Sequence, residues 1–132
     1  MYIQTAIDAA SFAVDNENVQ VWISAGTYVL SQALSPQSGV DVIGGFAGSE
    51  TSMAERSFVG KGENLTILDG NKSSRVINQI STLLTPTCWE NLIIENGYTI
   101  QNGGGAWLES GMTLKGASFA ATLASRQVQV PT

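Results

Sequence analysis

Val19-Gln20-Val21-Trp22-Ile23-Ser24-Ala25-Gly26-Thr27-Tyr28 is the stretch on which the reading of the fold turns. Val19, Val21 and Ile23 fall on one face and Gln20, Trp22 and Ser24 on the other, the period of two that belongs to an extended strand. Just before it the period is different. Ile3, Ala6, Ile7, Ala10 and Val14 recur at three- and four-residue spacing, with Gln4, Asp8 and Ser11 off that face, which predicts an amphipathic helix over 3–14. Asp15-Asn16-Glu17-Asn18 separates the two patterns as a polar turn.

Outward from this stretch, short apolar runs recur: Val40-Asp41-Val42-Ile43, Leu65-Thr66-Ile67-Leu68, Val76-Ile77, Leu92-Ile93-Ile94 and Met112-Thr113-Leu114. Measured at Val21, Val42, Ile67, Ile94 and Leu114, the steps are 21, 25, 27 and 20 residues. Recurrence at this interval predicts a solenoid, in which each turn buries its apolar face against its neighbours. Glycine-rich corners at Gly44-Gly45, Asp69-Gly70-Asn71, Asn96-Gly97 and Gly103-Gly104-Gly105 suit strands that change direction sharply. The expected fold is therefore mostly β, a right-handed parallel β-helix with an N-terminal capping α-helix. It forms one domain over 1–132: capping helix 3–14, coils 19–119 and an atypical tail 120–132. The helix covers a strand edge that would otherwise invite aggregation. No comparable cap follows Gly116-Ala117-Ser118-Phe119, so a truncated C-terminal end able to self-associate is expected.

Composition excludes several functions. Lys and Arg number 6 against 11 Asp and Glu, giving a net charge of −5, with no basic patch for nucleic acid. Charged residues make up 13% of the chain, about half the usual ~25%, so the polar surface is built from amides, hydroxyls and glycine. Histidine is absent, which removes Ser-His and Cys-His nucleophiles, a histidine base and the commonest zinc sites. The one cysteine, Cys88, forms no intrachain disulfide. No run approaches the roughly 18 apolar residues of a membrane span, and no signal peptide opens the chain. Membrane insertion is not expected, and the chain reads as a piece of a longer precursor.

Two sets of motifs resemble known proteins. Ile3-Gln4-Thr5-Ala6-Ile7-Asp8-Ala9-Ala10 followed by Val21-Trp22-Ile23-Ser24-Ala25-Gly26-Thr27-Tyr28 resembles the entry of pectate-lyase-like parallel β-helix proteins. Val42-Ile43-Gly44-Gly45-Phe46-Ala47-Gly48-Ser49-Glu50-Thr51, Thr66-Ile67-Leu68-Asp69-Gly70-Asn71 and Glu90-Asn91-Leu92-Ile93-Ile94-Glu95-Asn96-Gly97 look like a narrower group. These are the large surface β-helix proteins of Bacteroidetes-type bacteria, related to polymorphic outer-membrane proteins and autotransporter-like adhesins. The resemblance covers residues 3 to about 119 and implies a full-length precursor that is secreted or held at the cell surface. Ala120-Ala121-Thr122-Leu123-Ala124-Ser125-Arg126 departs from the repeat style.

Enzymes on that fold use converging carboxylates. No catalytic set is assigned here; Asp69 and Glu95 are the acidic residues that come nearest to one, and Asp69 before Gly70 also reads as a turn residue. Asp69 with Asn71 falls short of the six to eight oxygens a calcium site needs, so no metal and no cofactor is expected. Lys72, Arg75 and Lys115 read as a solvated face. Trp22, Tyr98 and Trp107 are the ligand-binding candidates, because exposed rings on a sheet stack against sugars. The function expected is a non-catalytic surface scaffold of adhesin type that meets glycans or other cell-surface partners. The alternatives are a fragment of a polysaccharide lyase or glycoside hydrolase, and a structural spacer that associates with itself.

Overall fold

A computed structural model of the chain describes residues 2–58, 64–100, 103–120 and 128–129. Among the described residues, eleven short strands lie in three sheets, and every pairing is parallel. The first sheet has the order β1 (Val19–Ser24), β3 (Val40–Phe46), β6 (Thr87–Glu90), β9 (Met112–Lys115). The second has the order β10 (Ser118–Ala120), β7 (Ile93–Glu95), β4 (Thr66–Asp69), β2 (Gly26–Val29). The third is the smallest: β11 (Val128–Gln129), β8 (Ala106–Trp107), β5 (Ile77–Asn78), with Leu34 bridging onto Ile77.

Among the described residues there is one α-helix, α1 (Ile3–Ser11). It has neither a side-chain N-cap nor an acidic residue in its first turn, and nine residues make a marginal helix in isolation. Tertiary contacts hold it instead. Ile3 and Ile7 are buried, and the helix lies against β1 and β3. Gln4 adds a two-point clamp: the Ser35 N–H donates to its Oε1 at 2.8 Å, while its Nε2 donates to the Ser35 carbonyl at 3.1 Å. The helix ends before Phe12, so its last turn is shorter than the 3–14 pattern predicts.

The fold class expected from the sequence, mostly β with a right-handed parallel β-helix, is corrected by this arrangement. The described residues form a mixed α/β arrangement, one α-helix with three distinct parallel sheets of four, four and three strands. The physical reason lies in what the apolar recurrence encodes. A 20- to 27-residue step is long enough for the crossover that any parallel pairing requires. It predicts parallel neighbours without fixing the class built from them.

The interior is continuous across the sheets. On the first, Val21, Val42, Trp89 and Leu114 are successive register partners facing inward. On the second, Tyr28, Leu68, Ile94 and Phe119 do the same. Strand β3 is buried along nearly its whole length, as parallel strands covered on both faces usually are. At the corners, polar side chains replace the ladder. Thr66 Oγ1, fully buried, accepts the Gly45 N–H at 2.9 Å and lies 3.1 Å from the Ile23 carbonyl. Asn91, at φ 62°, donates from Nδ2 to the carbonyls of Gly44 (2.8 Å) and Ser57. Glycine is required at position 44, where a Cβ would meet the Asn91 carbonyl at 2.5 Å and the Thr66 Cβ at 2.8 Å.

Candidate functional site

The third sheet carries the most distinctive surface. Ile77 and Ala106 are register partners and fully buried, so the next pair, Asn78 and Trp107, turns to the opposite face. Arg75 lies beside them, its guanidinium carbon 5.4 Å from the Trp107 ring centroid, within cation–π range. Its Nη1 is also 3.5 Å from the Asn78 Oδ1, a long contact.

A turn brings Tyr98 to the same place. Gly70 accepts no side chain, since a Cβ would meet the Asn96 carbonyl at 2.7 Å and the Ser74 carbonyl at 2.8 Å. This close approach lets the Tyr98 N–H donate to the Ser74 carbonyl at 2.8 Å. The result is a groove of about 370 Å³ with Ser73, Ser74, Arg75, Asn78, Tyr98 and Ile100 in its wall. Tyr98 is 38% exposed and Ile100 89% exposed. The Ser74 hydroxyl oxygen is buried and has no hydrogen-bond partner among the described residues.

Of the three aromatic residues singled out in the sequence, Tyr98 shares the groove wall with Arg75, and Trp107 lies under the Arg75 guanidinium. Trp22 does not join them. It stands on the outer face of the first sheet, stacked on Phe46 with ring centroids 4.4 Å apart and planes 5° from parallel. Its Nε1 donates to Gln20 Oε1 at 2.9 Å, and its ring roofs a Phe46 side chain that is 2% exposed. Trp89 is fully buried in the core, where its Nε1–H finds no partner among the described residues.

Asp69 and Glu95 are direct register partners on the outer face of the second sheet. Asp69 is engaged locally, its Oδ1 accepting the Asn71 N–H at 2.8 Å. Glu90 pairs with Arg56 at 3.5 Å on the first sheet, and Arg56 lies over the Phe58 ring at 4.5 Å. Among the described residues no group of three His, Cys, Asp or Glu comes together as a metal site. None of their helices is long and apolar enough to cross a membrane.

Two titratable groups depart from their ordinary behaviour. The Glu50 carboxylate accepts the N–H groups of Ala47 (2.6 Å), Gly48 (2.9 Å) and Ser49 (3.1 Å). The Ala47 bond is the largest of several that hold its pKa below the usual carboxylate range. Burial pushes the Cys88 thiol up, with the charges of Glu90 and Asp41 adding to it.

Sequence reasoning missed Arg75 and Asn78 as site residues. A signal existed: Val76-Ile77 must turn inward, which leaves the polar residues on either side free to line a surface. The comparisons supply no further guide, as the chain matches no family model, no curated protein and no solved structure.

Proposed function

We propose that the chain is a non-catalytic glycan-binding module of a secreted or cell-surface bacterial protein. The observation that carries this reading is an open groove whose wall includes both Tyr98 and Arg75, with the Arg75 guanidinium lying over the Trp107 ring. Aromatic rings give a sugar flat apolar faces, and a few convergent polar groups orient it. The low charge, the amide- and hydroxyl-rich surface and the resemblance to bacterial surface proteins support the same reading. A glycan array read together with reducing-sugar release tests it. Binding without product formation is the expected result; product formation, or no binding to any glycan, would refute it.

A second reading, a fragment of a polysaccharide-cleaving enzyme, is favoured by one observation, the Asp69–Glu95 register pair. Carboxyl groups about 5 Å apart suit retaining hydrolysis. If this reading holds, Asp69→Asn and Glu95→Gln each abolish sugar release while leaving glycan binding in place. Self-association is a further proposal. Strands β9 and β10 are the outer strands of their sheets, and Met112, Leu114 and Phe119 at that end are only partly buried. Light scattering at high protein concentration decides it, since a strict monomer removes the idea.

A further inference from the structure

The outward face of α1 is apolar where a surface helix normally carries charge. Tyr2 at its N-cap and Phe12 at its C-cap are 82% and 91% exposed, and Thr5 and Ala9 between them are exposed as well. The four positions follow at steps of three, four and three, so they form a single stripe opposite the buried Ile3 and Ile7. We infer that this stripe pairs with the same stripe of a second copy of the chain, the two helices antiparallel about a two-fold axis. The contact lies at the helix end of the molecule and is independent both of the glycan-binding reading and of the strand end weighed above.

The spacing is the first support. Steps of three, four and three read the same in both directions, so an antiparallel partner sets Tyr2 against the partner's Phe12 and Thr5 against the partner's Ala9. The rings then meet at the two ends of the contact, about 15 Å apart along the axis. The small side chains fall at the crossing, where they allow the roughly 8–10 Å separation of packed helices. Antiparallel alignment also places the positive end of each helix dipole beside the negative end of the other.

Charge is the second. A two-fold contact faces a surface with itself, so any charge on it meets its own sign. The chain carries a net −5, yet no member of the stripe is charged. Asp8 is the one charged residue of α1, and it is tied down at the flank: its Oδ1 accepts Nε2 of Gln4 at 2.9 Å and of Gln37 at 3.0 Å. Area is the third. Aromatic side chains bury roughly 150–250 Å² each, so the four rings of a pair contribute about 600–1,000 Å². With Thr5 and Ala9 added, the contact reaches the ~1,000 Å² at which specific interfaces begin, the size of a weak dimer in exchange with monomer.

Sedimentation velocity on the full chain, from about 10 µM to about 1 mM, tests this. A monomer–dimer equilibrium that stops at the dimer is expected, because a two-fold contact closes on itself. Phe12→Ser and Tyr2→Ser are each expected to raise the dissociation constant at least about tenfold, the loss of one well-packed interface ring. Both side chains are exposed, so each variant should match wild type in urea denaturation of the dilute monomer. The direction of pairing is read by mass spectrometry after mild oxidation. A disulfide between positions 5 and 9 is expected when Thr5→Cys and Ala9→Cys chains are mixed, and no 5–5 or 9–9 disulfide when either is oxidised alone.

A strict monomer over this range would overturn the inference and remove the strand-end proposal with it. Association that survives both serine variants unchanged would overturn it and leave the strand end as the contact. Disulfides formed within either cysteine variant alone would refute the antiparallel pairing. A monomer that binds phosphatidylcholine vesicles through Phe12 would assign the stripe to a lipid surface and so overturn it. The glycan-binding reading stands in every one of these cases.

Discussion

Asn91→Ala tests how the corner between the first two sheets is held. Asn91 is 4% exposed, sits at φ 62°, and donates from one nitrogen to the carbonyls of Gly44 and Ser57. Truncation removes both bonds and leaves two acceptors in a closed corner. At about 1 kcal/mol net per bond, and up to roughly 3 where a buried partner stays unsatisfied, this amounts to about 2–4 kcal/mol. Alanine at positive φ adds roughly 1–2 kcal/mol of backbone strain. The expected loss is therefore about 3–6 kcal/mol, a large fraction of the roughly 5–15 kcal/mol typical of a domain. Asn91→Gly loses the same bonds without the strain, so it should retain about 1–2 kcal/mol more. Urea denaturation followed by tryptophan fluorescence gives both values. The reasoning is refuted if Asn91→Ala unfolds within about 1 kcal/mol of wild type, or if the glycine variant is the less stable of the two.

Three further outcomes follow from the geometry. Gly44→Ala places a methyl group against the Asn91 carbonyl and the Thr66 Cβ, so a loss of about 1–3 kcal/mol is expected in the same urea assay. The Glu50 carboxyl has a folded pKa below its unfolded value, so its hold on the loop is fully present above the ordinary carboxylate pKa. That hold is lost as pH falls through the depressed value; the Ala47 and Gly48 amides should gain exchange protection as pH rises through this window, and Glu50→Gln should abolish the dependence. Cys88, its thiol pushed up by burial and by Glu90 and Asp41, should alkylate more slowly than free cysteine at pH 8, a rate that iodoacetamide labelling measures directly.

Much of the local structure was legible in the sequence. The switch from a spacing of three and four to a spacing of two separates a helix, expected over 3–14 and found at Ile3–Ser11, from the first strand at Val19–Ser24. The next strand was only half visible. Gly44-Gly45-Phe46 reads as a corner by composition, yet β3 runs through it to Phe46, because those glycines are where Asn91, Thr66 and Ser57 approach the backbone. The fold class was not legible: the spacing of apolar runs sets which strands are parallel neighbours, and the class depends on how sheets and helix are assembled around them. The site was legible only in part. Tyr98 and Trp107 stand out as rings in glycine-rich surroundings, but the Arg75–Trp107 contact joins residues far apart in the chain. It exists because Asn78 and Trp107 fall into register, and no local pattern encodes that alignment.

The turns that wall the groove are tied to the sheet beside them. Val76 and Ile77, fully buried, fix the backbone immediately after Arg75, and Trp107 packs against the guanidinium from the neighbouring strand. Tyr98 is tied to the same turn through the Ser74 carbonyl, and the turn depends on a glycine at position 70. Side chains ordered in this way lose little freedom when a ligand arrives, whereas each rotamer-rich group that must be immobilised costs roughly 0.5–1.5 kcal/mol. Trp22 makes the contrast. Its stack on Phe46 and its bond to Gln20 are internal contacts that a sugar would have to share or displace. On the glycan-binding proposal, these tethered polar groups beside half-buried rings favour the Arg75 groove over the outer face of the first sheet.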